Sequence, residues 1–248
     1  MPMRHLSWTR IPPRGRRMKE ILERLAGLVP AYFEALLPLL TGPKRFIAER
    51  LSGDASAMQK ALVFLAVSFA IGWVLKMPLS RGDPLLELGA DAVFAFVYVV
   101  AYGVALYLAW RIAGARSGLQ QFLTIHFYYA GILLLLATGL YLGTVGTLRA
   151  GDPELLKEMH DATHAGKLAT FLQENLQRLI ASPAYRLSLP VQIAGFGAML
   201  TWIFAGWGAY RQLNRLSRLR SIGAGLLFLI FCLPVTAFVF VLGNALVK

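Results

Sequence analysis

The chain has 248 residues, of which 57% are hydrophobic and 15% charged, against about 25% charged in an ordinary soluble domain. Its apolar residues gather into blocks of about 20 with almost no charge inside, the length a helix needs to cross a hydrocarbon core of about 30 Å, which excludes a water-soluble globule. A formal net charge of +12 raises nucleic acid as a partner, and the single Cys232 excludes a disulfide or a cysteine-ligated metal within the chain.

In chain order, residues 1–19 are basic and broken by Pro12 and Pro13, with no compact apolar core behind them, so no cleavable signal peptide is expected. The Arg16-Arg17 pair leads into amphipathic sequence, and the first span is expected to act as the insertion signal. Residues 18–51 alternate apolar groups (Ile21, Leu22, Leu25, Phe33, Leu36, Leu37, Leu40) with charges and carry Pro30, Pro38 and Pro43. That pattern predicts two or three short helices lying on the membrane surface, within a basic cytoplasmic segment 1–59.

Residues 60–248 form the membrane domain. Five spans are expected at 60–79, 89–112, 122–147, 188–210 and 222–246, making an all-α, five-helix polytopic bundle. Lys76 ends the first span, where its ammonium snorkels toward headgroups. Between the third and fourth spans, residues 148–187 open on Asp152-Pro153-Glu154, an acidic cap followed by a proline in the first turn. Leu155, Leu156, Met159, Leu168, Phe171, Leu172, Leu176, Leu179 and Ile180 then recur at helical spacing, so this outer loop is expected to form one or two amphipathic helices broken near Gly166.

The charge has a topological reading. Basic residues outnumber acidic ones before the first span; Arg111 and Arg116 follow the second, and Arg211, Arg215, Arg218 and Arg220 follow the fourth with no acid between them. The alternate loops are balanced or slightly acidic. Positive residues near spans stay on the cytoplasmic side, which puts the amino terminus inside and the carboxyl terminus outside. Trp110, Trp207 and Tyr210 then belong at the inner interface, and Trp73 and Tyr141 at the outer one.

Chemistry-bearing residues are few. His160 and His164 stand one helical turn apart beside Glu158 and Asp161, a shortened relative of the zinc-binding H-E-x-x-H pattern with an aspartate in the base position and no third ligand in reach; the solvated face of an amphipathic helix explains them as well. His126, near the start of the third span, reads as a proton-relay group or, next to Tyr128 and Tyr129, as a hydrogen-bonded anchor. No span carries an acid or base at its middle, which disfavours ion-coupled transport. Ser68, Thr138, Gln192, Thr201 and Thr236 are suited to hydrogen bonds between helices. Small residues at Gly139 and Gly143, and at Ala101, Ala105 and Ala109, offer close helix approach, either within the bundle or to another chain. The run Arg211, Arg215, Arg218, Arg220 suits anionic lipid headgroups as well as topology alone. Basic residues spread over short loops that hug the membrane exclude nucleic acid as the preferred partner, and no cofactor is implied.

The segment YFEALLPLLTGPKRFIAERLSGDASAMQKALVFLAVSFAI leading into the first span, WRIAGARSGLQQFLTIHFYYAG joining the second to the third, and the arginine-rich loop before a last span give an order of features that resembles the Yip family of membrane proteins. Its eukaryotic members have five spans, a cytoplasmic amino terminus and roles with Rab GTPases. The likeness covers about residues 32–248. Tyr128 and Tyr129 fit the family's junction motif, Gly131 stands where a proline is usual, and the long loop 149–186 departs from the pattern, so the Rab-linked role is not carried over. The richness in alanine, leucine and arginine suggests a bacterial cytoplasmic membrane. The expectation is a non-enzymatic scaffold or accessory subunit that touches anionic lipid with its basic face and other membrane proteins, or itself, with its small-residue faces. A lipid or small-solute transport component is the alternative, and a metal-dependent hydrolase on His160 and His164 a weaker one.

Overall fold

The structure is a computed structural model that describes residues 30–51, 56–79, 84–164 and 166–246. The basic stretch before residue 30, with the first part of the expected surface helices, lies outside the described residues. Helix α1 covers residues 30–41. It is followed by α2 (Pro43–Leu51), α3 (Ala57–Lys76), a 3-10 turn (Met77–Leu79), α4 (Pro84–Ile112), α5 (Leu119–Gly151), α6 (Pro153–His164), α7 (Leu168–Glu174), α8 (Leu176–Ala181), α9 (Pro183–Asn214) and α10 (Arg218–Leu246). No strand occurs among the described residues.

Helices α3, α4, α5, α9 and α10 are each long and apolar enough to cross a membrane. α5 is the hub: α3, α4 and α9 pack on it, while α10 packs on α4. Lipid tails are as apolar as leucine, so such packing is driven by close backbone approach and hydrogen bonds between helices rather than by escape from water. The seams of α5 are built that way. A Cβ on Gly131 would come 2.8 Å from Phe64 and 2.9 Å from the Ser68 hydroxyl of α3, and one on Gly206 of α9 would come 2.9 Å from Tyr129. The Trp202 indole N–H donates to the Tyr129 carbonyl at 3.0 Å, and Tyr102 of α4 and Thr236 of α10 share a hydrogen bond of 2.6 Å.

α1 packs on α3, and α2 packs on α5 and α9. Tyr32 stacks on Phe64 with ring centroids 4.7 Å apart and its hydroxyl meets that of Ser68 at 3.1 Å. Phe46 meets Tyr128 edge-on at 5.0 Å. Ala35 and Leu39 are also buried, whereas Phe33, Leu37 and Leu40 stay exposed on another side of the same helix. α1 thus carries one apolar side packed on the bundle and a second one facing outward. The break between the two helices falls at Gly42, and Pro38 stays inside α1. Pro38 and Glu34, whose carbonyl the proline leaves without its helical donor, are both exposed, so the interruption expected at Pro38 is not needed.

At the opposite end, Asp152 caps α6 as its sequence suggests, its Oδ1 accepting from the Leu155 N–H at 3.1 Å, and its Oδ2 accepting from the Ser182 hydroxyl at 2.8 Å. The segment between α5 and α9 forms three helices rather than one or two. One break is at Gly166, with φ +66°, and the second at Asn175, whose side chain and backbone N–H both donate to the Phe171 carbonyl at 3.0 Å. Leu148, Leu155, Leu179 and Ala184 make a small core that docks this cap on α5 and α9. Glu158 and Arg178 pair across it at 2.6 Å, and the pairing holds the guanidinium proton more firmly than usual.

Candidate functional site

The end of the bundle opposite α6–α8 collects α2, the α4–α5 loop and the α9–α10 turn. The loop is folded by Gly114, at φ +103°, a conformation glycine adopts without the Cβ clash other residues suffer. The Arg111 guanidinium donates to the Ala115 carbonyl at 3.0 Å and closes it. Asn214, the last residue of α9, ties the loop to the turn. Its buried Oδ1 accepts from the Ser117 hydroxyl at 2.7 Å and from the Ser117 N–H at 3.1 Å, and its Nδ2 donates to the Tyr210 carbonyl at 2.9 Å. Arg215 ends α9 in the left-handed region at φ 51°, rare for a residue with a side chain.

These constraints bring together the arginines that the sequence scatters over two loops. Arg111 and Arg116 project from the α4–α5 loop, and Arg215, Arg218 and Arg220 from the turn, all exposed, with Arg211 half-buried beside them. The Arg220 guanidinium lies 3.7 Å from where a Cβ on Gly114 would be, so loop and turn share one surface. From α2, Lys44 lies over Gly208, its ammonium 3.3 Å from a Cβ placed there. Neither the loop nor the turn contains an acid, and the Arg45–Glu49 contact within α2, at 3.8 Å, is exposed and loose.

Beneath this surface is an aromatic layer. Phe122 stacks on Tyr210 at 4.5 Å, Trp110 meets Trp207 at 5.2 Å and Tyr210 at 5.8 Å, and Tyr129 meets Trp202 at 4.9 Å. Trp110 and Tyr210 are buried in this layer and Trp207 is half-buried. They pack α4, α5, α9 and α10 together at the level where an aromatic belt would face outward. Among the described residues the Trp110 indole nitrogen and the Tyr210 hydroxyl are fully buried without a partner. Trp73 is half-buried and Tyr141 exposed, each toward the α6–α8 end of its helix.

The remaining sequence candidates fall elsewhere. His160 is half-buried on α6 and engaged by a neighbour; the His164 side chain lies outside the described residues. Among the described residues no three of His, Cys, Asp and Glu converge on a metal-sized site. Of the small-residue pair on α5, Gly143 makes the close approach, a Cβ there running into Val191 of α9. Gly139 faces open space within the chain. On α4, Ala105 and Ala109 are buried and Ala101 half-buried. His126 is hydrogen-bonded through Nε2 to the Val99 carbonyl at 2.8 Å, the anchoring role weighed for it. Ser68 and Thr236 bond across helices, whereas Thr201 turns back to the Gly197 carbonyl at 2.8 Å and Gln192 to Ser188 of its own helix at 3.0 Å. Protein-family models, characterised proteins and solved structures were compared with the chain, and none matches.

Proposed function

We propose that this protein is a non-enzymatic membrane scaffold or accessory subunit of a bacterial cytoplasmic membrane, with its amino terminus and basic end inside, its α6–α8 cap outside, and anionic lipid headgroups as ligands of the basic end. One observation carries the reading: Asn214 and Gly114 fold two loops into a single cationic surface free of acids, at the level where the spanning helices end. Each arginine near an anionic membrane surface contributes about 1 kcal/mol, and the weakly hydrated, planar guanidinium suits phosphate better than an ammonium does. The resemblance to the Yip family belongs to the same proposal and is supported by the count of spans and by the surface helices α1 and α2 ahead of them.

For partners, the reading rests on α9 and α10. The outward sides of these helices carry Ile193, Phe196, Leu200 and Phe204, and Leu226, Leu229 and Leu233, all exposed, so a further span can pack there with no rearrangement of the bundle.

The test is a titration of detergent-purified protein with phosphatidylglycerol against phosphatidylcholine, followed by native mass spectrometry. Replacing Arg211, Arg215, Arg218 and Arg220 by glutamine together is expected to remove about 4 kcal/mol, roughly a thousandfold in preference for the anionic lipid. Equal preference in wild type and variant contradicts the proposal.

A further inference from the structure

α3 and α4 both pack on α5 and leave a furrow of about 390 Å³ between them, walled by Leu62, Ala66 and Phe69 of α3 and by Ala95 and Val99 of α4, with Leu134 of α5 as its floor. No polar side chain lines it. The furrow is open along one side, and its volume is on the scale of a single acyl chain. The furrow runs within the parts of α3 and α4 that are apolar and long enough to cross a membrane, so lipid rather than water reaches it.

One polar group stands at its edge. The His126 ring of α5 is bonded through Nε2 to the carbonyl of Val99, a wall residue, and lies toward the basic end of the furrow. It fits there because residue 103 is glycine: a Cβ at that position would come 2.7 Å from the imidazole Cδ2. A carbonyl only accepts, so Nε2 carries the proton, and Nδ1 of the neutral ring is then a bare acceptor. No described residue donates to Nδ1. The side chain is half-buried, in contrast to its buried neighbours Ile125 and Phe127 on the same helix. An acceptor left without a donor in hydrocarbon is costly, and an ionisable group at that depth in a span is by default a functional one. His126 lies two turns into α5 from Leu119, about 10 Å along the helix, close to the level where lipid chains meet their polar heads.

We propose that the α3–α4 furrow binds one long-chain fatty acid in its protonated form, the chain lying along Ala66, Phe69 and Leu134 and the carboxylic O–H donating to Nδ1 of His126. This site is separate from the arginine surface and does not depend on it.

The test uses full-length protein in phosphatidylcholine nanodiscs and a photoreactive palmitic acid analogue, with adducts mapped by peptide mass spectrometry and competed by palmitic acid or its methyl ester. Adducts are expected on α3 and α4. The methyl ester, which has no donor, is expected to compete about tenfold more weakly than the acid. His126→Phe is expected to lose about tenfold in affinity, while His126→Gln, whose amide donates to Val99 and still accepts, stays within about threefold. Ala66→Phe, at an exposed position, fills the furrow and abolishes labelling of α3 and α4. Equal competition by acid and ester, or labelling spread evenly over the lipid-facing sides of α9 and α10, overturns the proposal; the ester comparison needs only the wild-type protein and stands even where a His126 variant fails to fold.

Discussion

The most exacting test of the α3–α5 seam is Gly131→Ala. A single added methyl would sit 2.8 Å from Phe64 Cε1, 2.9 Å from Phe64 Cδ1 and 2.9 Å from Ser68 Oγ. None of these neighbours gives way freely. Phe64 is 2% exposed, held on one side by the Tyr32 ring at 4.7 Å and on another by Tyr128 at 5.2 Å, and the Ser68 hydroxyl is engaged with Tyr32 at 3.1 Å. Overpacking of such a site costs about 1–3 kcal/mol, and at about 2–4 °C per kcal/mol for a chain of this size the midpoint falls by roughly 2–12 °C. Gly139→Ala, two turns along the same helix, is the internal control. Nothing lies within 4 Å of its added methyl, and removing a mid-helix glycine favours the helix by about 0.5–1 kcal/mol. The assay is thermal unfolding in one detergent, with Phe64→Leu added to Gly131→Ala as the rescuing partner. Equal midpoints for the two alanine variants, or no recovery in the double variant, would refute the packing argument.

Two further outcomes follow from the basic end and from α1. Asn214→Ala leaves the buried Ser117 N–H and hydroxyl without their acceptor, and is expected to cost about 2–3 kcal/mol in the same unfolding assay. Burial pushes the Tyr32 phenol above its ordinary value of 10.0, with the Ser68 hydrogen bond partly offsetting it. Below that value both folded and unfolded chains are neutral and the contribution to stability is complete. As pH rises past it the unfolded chain ionises first, so stability falls until the raised folded value is passed. The drop in melting midpoint between about pH 9 and about pH 11 is therefore expected to be smaller in Tyr32→Phe than in wild type; an unchanged drop counts against a buried phenol.

The spans were legible because length and hydropathy alone decide whether a helix crosses hydrocarbon, and Asp152-Pro153 marked its helix start because capping is a local property. What the sequence left open are the choices made by neighbours. All faces of a spanning helix are apolar, so nothing in residues 84–112 or 119–151 says that α10 packs on α4, or that Gly143 rather than Gly139 meets α9. Trp110 and Tyr210 carry the composition of an interfacial belt, and only the arrangement of the neighbouring helices buries them. The furrow was invisible for the same reason, since Ala66, Ala95 and Leu134 are remote in sequence and unremarkable in type. Gly103 opposite His126 was a signal in the sequence, but it gains meaning only once α4 and α5 are seen to touch. The second break in the α6–α8 cap falls at Asn175, which the helical spacing of the leucines around it does not reveal.

In the proposed arrangement, loops at opposite ends of the bundle face opposite compartments. With Cys232 replaced by serine, single cysteines at Ser217, in the α9–α10 turn, and at Lys157, exposed on α6, can be labelled in intact bacterial cells with a membrane-impermeant maleimide. Lys157→Cys is expected to react once the outer barrier alone is opened, and Ser217→Cys only after the cytoplasmic membrane is permeabilised. The reverse order would invert the orientation, and reaction of both from the same side would dismantle the alternating five-span arrangement itself.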